Sequence, residues 1–139
     1  MNAGDDHTLV ARRWFLVAHR DVLSAHACID APEAIPETAA YHCQQAVEKV
    51  IKGLLVLARV PFRKTHDLET LRDLVVPCFP DLTTRIDRLV PLTDWGHAFR
   101  YPDLGSEPVP SVDTLRTVLI DVRKFVTIAK EISERTPKA

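Results

Sequence analysis

A chain of 139 residues, 46% hydrophobic and 27% charged, can bury a substantial core in one domain, which excludes a disordered chain and leaves no room for a second unit. Its 18 basic and 19 acidic residues give a net charge of −1, so no overall basic field draws in nucleic acid, and any such binding must be local. No apolar run approaches the roughly 18 residues of a membrane span, and the acidic start MNAGDDHTLV carries no export-type apolar stretch, so a soluble, cytoplasmic protein with no membrane partner is expected. Cys28, Cys43 and Cys78 lack metal-ligand or CxxC spacing and read as reduced thiols.

The spacing predicts a first helix from about Thr8 or Leu9 to Ile29, with Pro32 beyond its exit. Val10, Trp14, Val17, Ala18, Ala25 and Cys28 fall on one face, which is the expected core face. Asp21 lands among them. An ionised acid buried alone would be very costly, so a cation from a neighbouring helix is expected beside it, Lys49 or Arg100, as a structural buried acid. A second row, Leu9, Leu16 and Leu23, recurs every seven residues away from that face and suggests a seam with another helix or a second subunit.

Asp30 to Pro36 is a turn, and the stretch YHCQQAVEKVIKGLLVLARV from Tyr41 to Val60 is the helix around which the chain is organised. Cys43, Ala46, Val47, Val50, Ile51, Leu54, Leu57 and Ala58 gather on its core side. Tyr41, Gln45, Glu48, Lys52 and Arg59 form a polar stripe opposite, while Leu55 and Val56 fall beside that stripe and offer an alternative dimer patch. A helix patterned this way is central and touched by protein on two sides.

Pro61 stops this helix, and Thr65 is expected to cap another over His66–Val75, with Asp67 in its first turn. His66 there could bind a phosphate, carry a proton or bond to a backbone carbonyl; it has no companions at metal-ligand spacing, so no metal is expected. A fourth helix starts at Asp81 with Leu82, Ile86, Leu89 and Val90 inward, and Pro91 forces a kink or restart before Thr93–Arg100. Trp95, Phe99 and Tyr101 near His97 and Arg100 suit base stacking beside a guanidinium, and equally a core corner. The last helix, about Val112 to Glu134, is capped by Ser111 and carries one unbroken apolar face from Leu115 to Ile132.

Gln44-Gln45-Ala46-Val47-Glu48-Lys49, then Lys52, then Lys64-Thr65-His66-Asp67-Leu68, and later Arg100-Tyr101-Pro102, resemble the signature blocks of the HEPN family, over roughly residues 10 to 130. That resemblance implies an all-α, antiparallel up-and-down bundle of four or five helices in a single domain spanning 1–139 with its core at about 8–134. It is similar to the helical half of kanamycin nucleotidyltransferase. It also implies a homodimer, and a separately encoded minimal nucleotidyltransferase or a nucleotide or RNA as partner, within a toxin–antitoxin pair, with no cofactor. The residues then expected to meet a ligand or partner are Gln45, Glu48, Lys49, Lys52, His66, Asp67, Arg100 and Tyr101.

An alternative is a metal-independent ribonuclease toxin with His66 as base and Arg59 or Arg100 on the phosphate. HEPN ribonucleases resemble one another in a late Arg, then four to six intervening residues, then His, and no histidine follows Arg100. Arg12 or Arg13 to His19, Arg20 to His26, and Arg59 to His66 match that spacing at other places, so a non-catalytic binding module is the leading expectation.

Overall fold

The structure, a computed structural model, describes residues 3–96 and 108–135, with side chains from Asp6 onward. Arg100, Tyr101, His97 and Phe99 lie outside the described residues. Among the described residues five α-helices run in order: α1 Ala3–Asp30, α2 Pro36–Leu57, α3 Leu68–Val75, α4 Thr83–Leu89 and α5 Val112–Arg135. Two 3-10 segments, Pro80–Leu82 and Val90–Gly96, flank α4, and no strand occurs among the described residues.

The short link after Asp30 folds α2 back along α1, and this pair makes the most extensive contact in the protein. Pro36 begins α2 with its fixed φ, and Glu37 in the first turn faces the positive end of the helix. Helix α5 lies against both and antiparallel to α1. Arg12 near the start of α1 donates to the carbonyl of Ser133 near the end of α5 at 3.2 Å, while Asp30 closes α1 against Arg116 near the start of α5 at 2.8 Å. Ser111 Oγ accepts from the Thr114 amide at 3.1 Å, and Leu115, Leu119, Val122, Phe125, Val126 and Ala129 are all buried, as the unbroken pattern of that helix predicts.

On α1 the buried row is Ala11, Phe15, Ala18, Val22, Ala25 and Ile29, at alternating spacings of four and three. This corrects the predicted face: Ala18 and Ala25 are shared, Trp14 and Cys28 are only half-buried, and Val10 and Val17 are exposed. Apolar residues ring this helix, so periodicity alone fits two faces; Phe15 settles the choice by lying across Gly53 of α2.

On α2 the side opposite the core is covered by protein, as expected of a central helix touched on two sides. Glu48 and Lys52 are buried, because α3, the turn before it and the segment Val90–Gly96 cover that side of the helix. Leu55 is fully buried and Val56 half-buried, so no open patch exists there, whereas Leu9, Leu16 and Leu23 stay 46%, 58% and 54% exposed.

Arg59 is not on the stripe at all. Helix α2 ends at Leu57, and the chain reverses through Arg59 at φ 61°, with the Arg59 amide donating to Val56 O and the Val60 amide to Leu55 O. This is the pattern of a Schellman cap, whose left-handed position favours glycine. Arg59→Gly is therefore expected to raise stability by about 1 kcal/mol, read as a higher urea midpoint at unchanged slope; a lower midpoint would mean that the arginine side chain contributes more than its backbone conformation costs.

Helix α3 begins two residues later than predicted, with Asp67 rather than Thr65 as its N-cap. Thr65 Oγ1 instead accepts from the Asp67 amide at 3.1 Å and tightens the turn. After α4, Pro91 removes a donor and the chain continues as the 3-10 segment Val90–Gly96 in place of a restarted helix at Thr93. Thr93 Oγ1 donates to Val90 O and accepts from the Leu68 amide, which ties this segment to the start of α3. No helix among the described residues is long and apolar enough to cross a membrane.

Candidate functional site

Helix α2 carries two acid–base clusters, one shared with Asp21 of α1 and one shared with His66 of the turn before α3. Toward α1, Asp21 receives Lys49 Nζ at 2.7 Å on one oxygen and His42 Nδ1 at 2.8 Å on the other. Lys49 was one of the two cations expected there; His42 was not anticipated, because it lies one residue outside the polar stripe. Both groups belong to the α1–α2 contact, with Lys49 paired to Asp21 and not among the residues lining the cleft at His66.

The second cluster is built on Glu48, whose spacing from Gln44 and Lys52 places all three on one face of α2. Glu48 Oε2 accepts from Lys52 Nζ at 3.1 Å, and Oε1 accepts from Gln44 Nε2 at 3.2 Å and contacts His66 Nδ1 at 2.9 Å. Glu48 is 3% and Lys52 6% exposed, so this pair is desolvated and neutral as a unit. The Lys52 ammonium also stands 5.9 Å from the ring centroid of Trp14. Gln44 is fully buried and donates a second bond to the backbone carbonyl of His66, while its Oε1 accepts from Gln45 Nε2 at 2.7 Å.

Above this cluster lies a cleft of about 450 Å³, lined by Tyr41, Gln44, Gln45, His66, Asp67, Thr93 and Gly96. That volume is in the range of small-molecule sites. Gly96 packs closely on the wall: a Cβ there would stand 3.0 Å from the Gln44 amide, which would have to shift by a few tenths of an ångström. His66 has a side chain 73% exposed and is anchored at one ring nitrogen only by Glu48. Because a carboxylate paired with an ammonium accepts and does not donate, His66 Nδ1 carries the proton and Nε2 keeps the lone pair in the neutral ring.

Asp67 caps α3 through the Glu69 amide and accepts from Thr70 Oγ1 at 2.6 Å. The Thr70 hydroxyl, more than the backbone bonds, holds the Asp67 carboxyl below its ordinary value of 3.8. With the folded value below the unfolded one, this contribution is complete above about pH 4 and is lost as pH falls through the lowered folded value. Asp67→Ala is expected to cost about 1 kcal/mol at neutral pH, and Asp67→Asn to keep the cap while removing its acid limb; equal pH profiles for wild type and Asp67→Asn between about pH 5 and pH 2 would contradict the assignment.

Of the residues expected to meet a ligand, the structure brings Gln45, His66 and Asp67 to one cleft. Glu48 and Lys52 form the buried layer behind them, and Arg59 is not among the residues lining it. Tyr41, Gln44, Thr93 and Gly96 complete the lining; Gln44 was hidden on the border of the apolar side, and Thr93 and Gly96 reach the cleft only through the tertiary fold. Burial pushes the Cys43 thiol up to about 12, which makes it an inert core group, and no group of three or more potential metal ligands gathers among the described residues.

A family model described as the HEPN domain matches residues 11–132, most of the chain and the whole span from α1 through nearly the end of α5. The chain belongs to the HEPN family. No curated protein and no solved structure matches it. In this HEPN chain the Gln44–Lys49 block forms the buried cluster on α2 and the Lys64–Leu68 block forms the facing turn. The two blocks, 15 residues apart in sequence, meet through the Glu48–His66 and Gln44–His66 bonds.

Proposed function

We propose that this HEPN protein is a non-catalytic binding module that holds a nucleotide or RNA segment in the cleft between α2 and the turn before α3. The observation that supports it most is that a buried, hydrogen-bonded layer of Gln44, Glu48 and Lys52 presents Gln45 and His66 at the cleft. A buried ion pair is weak evidence for stability in itself, since apolar residues of the same volume usually stabilise as well, so its use in presenting a site is the more economical reading. Calorimetric titration with ATP, GTP and short RNA is expected to show binding without turnover. Absence of heat with every one of them would overturn the reading.

The protein acts as a homodimer in this proposal, and its partner is a separately encoded minimal nucleotidyltransferase, together a toxin–antitoxin pair. The exposed Leu9, Leu16 and Leu23 support the dimer: spaced seven apart and centred on Leu16, they form a row that is self-complementary about a two-fold axis. Light scattering should give twice the chain mass, and Leu16→Glu should give the monomer. Copurification of the adjacent gene product tests the partner.

One observation favours a second reading, a metal-independent ribonuclease. Glu48 holds His66 with Nε2 as the basic nitrogen, the arrangement a general base needs. RNA cleavage that disappears in His66→Ala would establish it; cleavage that survives would exclude His66 as the base.

A further inference from the structure

The polarity of the cleft is dictated from the layer beneath it. Glu48 and the His66 carbonyl are both acceptors, so the Gln44 group between them must be its amide NH2, and its oxygen must face Gln45. That oxygen in turn demands the NH2 of Gln45, which leaves Gln45 Oε1 and the second hydrogen of that NH2 with capacity for a ligand. By the same logic Glu48 takes the proton-bearing Nδ1 of His66 and leaves the lone pair at Nε2. Asp67 adds a carboxylate that accepts only, and Thr93 Oγ1 is already committed to Val90 O and the Leu68 amide. Two cations of α2 that could have met an anion are turned away: Lys49 is committed to Asp21 and Lys52 to Glu48. Among the described residues lining the cleft there is no lysine or arginine. Among the described residues the wall therefore offers three acceptors, the second N–H of Gln45 and an aromatic ring, Tyr41, with no lysine or arginine to meet a phosphate.

We propose that the cleft binds the amino-bearing edge of a nucleobase, adenine or cytosine, with Gln45 Oε1, His66 Nε2 and Asp67 as acceptors and Tyr41 as the stacking surface, and that ribose and phosphates stay outside. This rests on the nucleotide-binding reading and specifies which part of the nucleotide is held. The amino-bearing edge gives hydrogens from its exocyclic nitrogen and accepts one at the neighbouring ring nitrogen, which the second N–H of Gln45 can supply, and a base stacked on a tyrosine requires no particular phosphate geometry. A phosphate, by contrast, would sit beside the Asp67 carboxylate.

The test is a calorimetric series on the full chain with adenosine, AMP, ATP, cytidine and purine riboside, which is adenosine without its amino group. Adenosine, AMP and ATP should bind within a few-fold of one another, purine riboside should bind at least about tenfold more weakly, and inorganic phosphate should not compete. Tyr41→Ala and Gln45→Leu should each lower adenosine affinity by about tenfold or more. Affinity that climbs with the number of phosphates, or equal binding of adenosine and purine riboside, overturns this inference and leaves nucleotide binding standing. No binding by any nucleoside, nucleotide or short RNA overturns both.

Discussion

Replacing Glu48 with alanine is expected to destabilise the protein by about 3–5 kcal/mol, the range for removing one partner of a buried ion pair. Three groups lose their acceptor at once. Lys52 would remain as an ammonium only 6% exposed, Gln44 as an amide with no exposure, and His66 as a ring without an anchor. Of these the stranded charge costs most, because an unpaired ammonium in a poorly solvated site has no compensating attraction. The measurement is urea unfolding at pH 7, with the slope checked for constancy so that a shifted midpoint reports stability. Lys52→Met in the Glu48→Leu background removes both charges and should recover more than half of the loss, since the cost lies in the broken pair rather than in the absent one. A Glu48→Ala penalty below about 1 kcal/mol would place the pair with ordinary surface pairs and would undercut the buried layer on which the cleft depends. Nitrogen chemical shifts of His66 give an independent readout: the Nδ1–H tautomer should dominate in the wild type and lose its preference in Glu48→Ala.

The second large effect is expected at Gly53, in the middle of α2. A Cβ there would lie 2.5 Å from Phe15 Cε1 and 2.9 Å from Trp14 Cβ. A glycine inside a helix costs about 1 kcal/mol relative to alanine, so on local grounds Gly53→Ala should stabilise. The opposite is expected. Trp14 Cβ is fixed to the backbone of α1, so relief requires α1 itself to move away from α2, across the largest contact in the bundle. Overpacking of this kind costs about 1–3 kcal/mol and should outweigh the gain in helix propensity for alanine, reaching the upper end of that range for Gly53→Leu. Thermal unfolding followed by the fluorescence of Trp14 and Trp95 checks both variants. A more stable Gly53→Ala would mean that the two helices can separate freely at this point, and the explanation of the α1 register through Phe15 and Gly53 would go with it.

How far the sequence carries the reader is seen best on the three long helices. Helix α5 is legible in its bounds to within one residue and in most of its buried face, because its apolar positions form a single stripe and its cap is local: a serine three residues before the amide it accepts from. Helix α1 is legible as a helix but not as a face. Leu9, Val10, Trp14, Phe15, Leu16 and Val17 surround it with apolar groups, and period alone cannot say which side another helix will take. The face is decided by shape, where Phe15 finds the one position on α2 without a side chain.

The candidate site divides in the same way. Sequence alone determined an all-helical chain, the centrality of α2 and the need of Asp21 for a cation, because each follows from spacing along one helix or from the cost of a lone buried charge, and it carried the family in motif blocks spread over several elements. Tertiary structure decided that Glu48 and Lys52 lie beneath a cleft instead of on open surface, and that Gln44, Thr93 and Gly96 belong to its wall. The physical reason is that a helix face is polar or apolar by composition, but buried or exposed only by what packs on it. For α2 that covering comes from residues 18 to more than 40 positions further along the chain, held there by hydrogen bonds no local pattern encodes.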